Sequence, residues 1–211
     1  MSPFNKCARL SFSRKSALRT SSTKFKEFNN VSDAGKPSII PRAAVSVVVR
    51  WSQISSDKST VDRTGSPRYL LVQRGKEPNT GMWSLPGGKI EVGERTLDAA
   101  KRELFEETSL RTEGALNLKW HRSGPFACSD SIHHNEHAGV SFHYVISQCF
   151  AELQSRTLPN IVASDDAMDA RWWSADEMKD GEDNGVVTKG VLAVSLRSED
   201  LYAAGLLKCE D

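Results

Sequence analysis

The sequence predicts an α/β domain with a mixed sheet between helical layers. Short β-branched or alternating runs recur from residue 43 to residue 173, and two stretches, 96–109 and 186–207, carry helical spacing. Of the 211 residues, 38% are hydrophobic, enough for one full core and short of two.

Residues 43–50 (AAVSVVVR) are rich in β-branched side chains and read as a buried strand. The polar stretch 51–67, with Asp62 and Gly65 near its end, reads as an extended hairpin connection. Residues 69–73 return as a second strand. A turn follows at 77–81 (EPNTG), then a short strand at 83–85 that Pro86 ends. The helix at 96–109 has Thr96 to cap it and Ala99 and Ala100 to raise propensity. Leu97, Ala100, Leu104 and Phe105 supply its apolar side.

Beyond a polar linker at 112–114, residues 115–121 and 140–151 read as strands. The polar segment between them, with His133, His134, Glu136 and His137, reads as a loop. Residues 170–173 form a short strand that sends Trp172 and Trp173 to opposite faces. Ser174 opens a helical turn at 174–178, with Asp176 or Glu177 in its first turn. The stretch 186–207 is largely helical, with Val187, Val191, Val194, Leu196 and Leu201 for packing.

The net charge of +1 conceals an asymmetry. Residues 1–30 hold seven basic residues against Glu27 alone, which leaves the rest of the chain near −5. Residues 1–40 are rich in Ser, Arg and Lys and have no acid before Glu27. They read as a disordered transit peptide for a mitochondrion or plastid, ahead of one domain at 41–211. The acidic body carries no electrostatic footprint for nucleic acid. The longest apolar run, near residues 43–49, is far too short to span a bilayer. Cys7, Cys128, Cys149 and Cys209 lie far apart and read as free thiols, and the histidines lack a cysteine at finger-like spacing for zinc.

The chemistry concentrates in residues 87–110, GGKIEVGERTLDAAKRELFEETSL. Measured around the helix from Glu103, Glu106 lies about 60° to one side and Glu107 about 40° to the other, so three carboxylates share a face. Like charges at this spacing destabilise a helix by a few tenths of a kcal/mol per pair. A Glu-rich helix is ordinarily a solvated surface. Here Gly87 and Gly88 precede it with backbone that a metal or phosphate can approach, and a divalent cation resolves the repulsion.

Gly88, Glu94, Arg102, Glu103, Leu104, Glu106, Glu107 and Leu110, at this spacing, closely resemble the signature of the Nudix hydrolases, with Ser109 standing where that family usually has Gly. The runs YLLVQRGKEPNTGMWSLPGG, PFACSD, FHYV and SDDAMDARWW extend the likeness to the bacterial ADP-ribose pyrophosphatase-like members. The resemblance implies an α/β/α sandwich with a mixed β-sheet between helices. It also implies hydrolysis of a pyrophosphate in a nucleoside diphosphate derivative, with Mg²⁺ as cofactor and Mn²⁺ as substitute. Glu103, Glu106 and Glu107 are then the metal-binding carboxylates, with the Gly88 carbonyl as a further ligand. Arg102 braces the helix and orients a glutamate, and Glu94 joins that support.

The catalytic base stays open between Glu103 and the later Asp165, Asp166 and Asp169. Arg74, Lys76, Gly87, Gly88 and Asp166 are the candidate substrate contacts. Trp83 reads first as core and His143 as a satisfied interior residue. ADP-ribose or a related nucleotide sugar leads among substrates, giving AMP plus a sugar phosphate. NADH or another dinucleotide, a damaged nucleotide, and a catalytically weak nucleotide-binding role are the alternatives. The expected partner is a small nucleotide, with neither nucleic acid nor membrane, and the resemblance allows a homodimer.

Overall fold

The computed structural model describes residues 40–54, 66–110 and 117–210. The expected transit segment up to residue 39, most of the connection after the first strand, and the linker at 112–114 lie outside the described residues.

Strands β1 (Arg42–Gln53), β2 (Arg68–Arg74), β3 (Trp83–Ser84), β4 (Asn117–His121), β5 (Ala127–His134), β6 (Val140–Ser155), β7 (Ala167–Trp173) and β8 (Cys209–Glu210) form one mixed sheet. Its main order is β3-β2-β1-β6-β4-β8, with β5 paired to β6 and β7 to β2. The β1–β6 pair is parallel along its whole length, from Arg42 opposite Tyr144 to Gln53 opposite Ser155. The other ladders are antiparallel. Helices α1 (Thr96–Thr108), α2 (Ala175–Asp183) and α3 (Val191–Ala203) complete the α/β/α sandwich.

Side-chain alternation divides the core into two layers. Val45, Val47 and Val49 of β1 pack with Ala99, Ala100 and Leu104 of α1, joined by Cys149, Ala151 and Leu153 of β6. Val48 and Phe150 face the other way, towards Met178 of α2 and Val191 of α3. Trp172 packs on the first layer and Trp173 on the second, the division their adjacency predicts.

Several sequence expectations need correction. The N-cap of α1 is Arg95, without a side-chain cap bond, and Thr96 is already helical. Phe105 lies on the exposed side of α1, and Ala99 and Thr108 complete its buried side instead. Ser109 closes the helix at φ 57°, accepting the left-handed geometry that Gly would take without steric cost. The expected loop before residue 140 contains β5, so His133 and His134 are strand residues. The helix expected over 186–207 is shorter, because Val187 bridges to Trp83 and the helix begins only after Gly190 at φ 93°. Leu196 on that helix is exposed. Helix α2 runs to Asp183, held at its start by a capping box between Ser174 and Glu177.

A buried ionic cluster ties α3 to the sheet. Arg50 of β1 donates to both carboxylate oxygens of Glu199, at 2.7 and 3.0 Å, and reaches Glu152 at 3.4 Å. The Tyr69 and Tyr202 hydroxyls donate to Glu199 and Glu152, and the Arg50 guanidinium lies 4.5 Å above the Tyr202 ring. Removing Glu199 leaves the buried Arg50 charge with only the longer Glu152 contact, at a cost of about 3 kcal/mol. Glu199→Ala is therefore expected to lower Tm by about 6–12 °C in a domain of this size. A thermal melt showing a shift below about 2 °C would remove the cluster from any role in stability.

Candidate active site

At Gly87 the turn runs so close to β1 that only glycine fits, and at Gly88 it lies against the Glu103 carboxylate. A Cβ on Gly87 would lie 2.2 Å from the Val45 carbonyl oxygen, and one on Gly88 would lie 2.6 Å from the Glu103 carboxylate atoms. The Gly88 carbonyl accepts from Val45 N–H at 2.9 Å, and Pro86 O accepts from Val47 N–H at 2.8 Å. The turn is thus stitched to β1 as a further short ladder. On its other side Gly87 N–H donates to Glu107 Oε2 at 2.9 Å. One turn therefore receives two glutamates of α1, one on each residue.

Arg102 holds the charges of α1 together. It donates to both oxygens of Glu94 at 2.8 Å, to Glu103 at 2.9 Å, to Glu106 at 3.0 Å and to the Lys89 carbonyl at 3.0 Å. Its hydrogen bonds hold Glu94 down to about pKa 2, and these carboxylates in turn raise the Arg102 pKa. Burial pushes the Glu103 pKa up, and Arg102 opposes that rise. Glu107 is raised furthest, to about 8, because burial outweighs the Gly87 hydrogen bond and Glu103 and Asp166 add repulsion.

The three glutamates open onto a cavity of about 580 Å³, a size suited to a small organic ligand. Arg74, Lys76, Gly87, Gly88 and Asp166 line it with Glu103, Glu106 and Glu107, so these expected site residues converge. Arg102 stands behind them as a brace and is not part of the lining. Lys76 Nζ pairs with Asp166 at 3.0 Å across the mouth, which raises the Lys76 pKa. Arg74 Nε is turned to the Pro78 carbonyl at 2.8 Å.

The loop carrying Asp165 and Asp166 is pinned to the end of α1, where Ser164 N–H donates to the Glu107 carbonyl at 2.9 Å. Asp165 lines the cavity too. Asp169 does not: it caps Ala170 N–H and pairs with Arg171, which removes it from the candidates for catalytic base. His143 is half-buried beside Asp130 at 3.1 Å. Trp83 is core, tilted at 57° against Trp173 with Arg171 over its ring. The lining also includes Ser46, Ser129 and Gln148, which sequence spacing alone did not single out.

Hard carboxylate oxygens gathered on one helix face, with a carbonyl-bearing glycine turn against them, fit Mg²⁺ or Mn²⁺ by donor type. As they stand, no three His, Cys, Asp or Glu side chains among the described residues are arranged to hold a metal ion. Arg102 Nη1 bridges Glu103 and Glu106 and is the cation that now neutralises them.

A NUDIX domain model matches residues 59–190. The chain belongs to the Nudix hydrolase family. Among curated proteins it is 42% identical over 69 residues to nucleoside diphosphate-linked moiety X motif 6 of Mus musculus, covering 31% of this chain and 22% of that protein. It is 31% identical over 99 residues to the m7GpppN-mRNA hydrolase NUDT17 of Xenopus laevis, covering 44% and 33%. The chain thus spans about a third or less of the length of the curated relatives it matches. Among solved structures, a C. elegans Ap4A hydrolase binary complex superposes with a TM-score of 0.53 at 18% identity, over 78% of this chain and 98% of that one. That likeness is one of fold.

The Nudix helix carries a stability consequence. With a pKa near 8 folded against 4.5 ordinarily, Glu107 keeps a proton in the fold that the unfolded chain releases between those values. Its contribution is fully present below pH 4.5 and is lost as pH rises through 8. In chelator, wild-type Tm is expected to fall across this range more steeply than that of Glu107→Gln, which keeps the acceptor for Gly87 without the charge. Parallel pH profiles for the two proteins would refute the assignment of the buried charge to Glu107.

Proposed function

We propose that this protein is a metal-dependent pyrophosphohydrolase acting on nucleoside diphosphate derivatives, with ADP-ribose or a related nucleotide sugar as the leading substrate and AMP plus a sugar phosphate as products. The observation that carries this reading is the convergence of Glu103, Glu106 and Glu107 on the glycine turn at the mouth of one cavity. Arg74 and Lys76 stand at the same end and supply positive charge for phosphate oxygens. The extended sequence likeness to ADP-ribose pyrophosphatase-like members favours a nucleotide sugar. The named relatives act on different substrates and do not choose among them.

Nudix hydrolases generally use Mg²⁺; bound here, it would neutralise phosphate oxygens and lower the pKa of a coordinated water. Glu103, Glu106 and Glu107 would hold it, with the Gly88 carbonyl beside them. Arg102, already bonded to Glu94, Glu103 and Glu106, sets the rotamers of those side chains and opposes the rise that burial causes in the Glu103 pKa. In the reaction, a water oxygen bonds to one phosphorus as the bridging P–O bond breaks. The water proton passes to a carboxylate, and the leaving phosphate departs with the bridging oxygen. Glu103 and Asp166 are the cavity carboxylates suited to take that proton, and Lys76 pairs with Asp166 at 3.0 Å.

The test is a panel of ADP-ribose, NADH, FAD, ADP-glucose, diadenosine polyphosphates and normal and oxidised nucleoside triphosphates, with Mg²⁺ and then Mn²⁺. One substrate is expected to dominate, with turnover lost in chelator and reduced at least about 100-fold in Glu107→Gln. Arg102→Ala should also lose activity, because its three glutamates lose their common partner. Selective binding of one nucleotide with no turnover by wild type would replace the hydrolase reading with a binding role.

A further inference from the structure

We propose that the half of the cavity facing α3 binds the nucleobase of the substrate and that Gln148 reads the edge of that base. The inference rests on the pyrophosphohydrolase reading for what the substrate is, and it names the element that selects it.

The cavity straddles the sheet. Ser46 shares its face of β1 with Val48, and Ile146 and Gln148 share theirs of β6 with Phe150; Val48 and Phe150 belong to the layer packed on α2 and α3. A continuous chain of contacts joins the two halves. Glu107 bonds Gly87, the position of a Gly87 Cβ would fall 2.7 Å from Ser46 Cα, and Ser46 bonds Gln148. A ligand with phosphates at the glutamates therefore extends its remaining groups over Ser46 and Gln148.

Gln148 is 3% exposed, yet it lies in the cavity lining. Ser46 Oγ donates to its Oε1, and its Nε2 donates to Ser129 Oγ at 2.8 Å. Anchored at both ends, the amide cannot turn freely, and each end keeps one further valence: a lone pair on oxygen and an N–H on nitrogen. Adjacent donor and acceptor in one plane match a nucleobase edge, the pairing by which amide side chains read adenine. Ribose hydroxyls, which both donate and accept, have no need of such a fixed pair.

The surroundings suit a ring. Ile146, Val191 and Val194 supply apolar walls, and Tyr144, stacked on Phe142 at 12° between planes, presents a flat aromatic side chain in the lining. Two more lining residues, Ser84 and Thr188, have buried hydroxyl oxygens without a hydrogen-bond partner among the described residues. A buried hydroxyl left unpaired is costly, and a base that reaches it through a side-chain rotation recovers that cost.

The experiment uses the full chain and equilibrium binding of AMP, GMP, CMP and UMP against ribose 5-phosphate, which lacks a base. One mononucleotide is expected to bind at least about tenfold tighter than ribose 5-phosphate. Gln148→Leu should bring that preference to within about twofold, and Thr188→Val should reduce it in part. A thermal melt accompanies each variant. If Gln148→Leu fails to fold, Ser129→Ala, which frees the amide from one anchor, is expected to weaken the preference by about threefold or more. A preference unchanged in a folded Gln148→Leu, or in Ser129→Ala where that stands in for it, overturns the inference, as does a wild type that binds no mononucleotide better than ribose 5-phosphate. Base preference that depends on Gln148 without chelator-sensitive turnover would overturn the hydrolase reading and uphold this one.

Discussion

Backbone against backbone, Gly87 and Gly88 on β1, is the contact on which the rest of the site depends. Because neither residue has a Cβ, the turn sits on Val45 and Ser46 and still leaves room for the Glu103 and Glu107 carboxylates on its outer side. Any side chain there would collide with a carbonyl on one side or a carboxylate on the other. The turn thereby sets the distance between helix α1 and β1. It also places the acidic face over the cavity instead of out in water.

Charge is handled differently in the two layers. On the α1 side, Arg102 gathers Glu94, Glu103 and Glu106 at a partly exposed edge, where a second cation could compete for the same oxygens. On the α3 side, Arg50 is enclosed with Glu152 and Glu199 beneath Tyr69 and Tyr202. Each polar atom of that inner cluster has a partner of fixed geometry, which suits a permanent tie between helix and sheet. Beside the outer cluster, burial with repulsion from Glu103 and Asp166 makes a charge on Glu107 costly and raises its pKa to about 8. A site with the proposed cation-binding role retains that cost. A structural cluster removes it.

The glutamate helix was legible because its information is rigid spacing: residues three and four apart on a helix share a face whatever surrounds them. Ser109, standing where the family usually has Gly, takes the left-handed conformation that a Gly would take freely. Periodicity did not show strand β5, since ACSDSIHH alternates only between half-buried and exposed positions and its one large apolar side chain, Ile132, is exposed. Its strand character comes from pairing with β6, a partner chosen in three dimensions. Phe105 and Leu196 misled for the opposite reason: they are apolar residues at helical positions that stay exposed, at 37% and 45%. Gln148 and Ser46 escaped notice because they lie 102 residues apart and meet only through the parallel β1–β6 pairing.

The same topology separates what the two halves of the cavity can change. The glutamates, Arg102 and the glycine turn are locked to one another by direct bonds, so a substitution at one disturbs the others. Residues 144, 146 and 148 lie on the opposite face of the sheet and line the cavity together with Val191 and Val194 of α3. Exchanges there alter the shape and polarity of the floor without touching the acidic helix. A single chemistry can in this way be kept while its substrate is chosen by a different layer of the fold, and the cavity that joins them runs around the turn at Gly87.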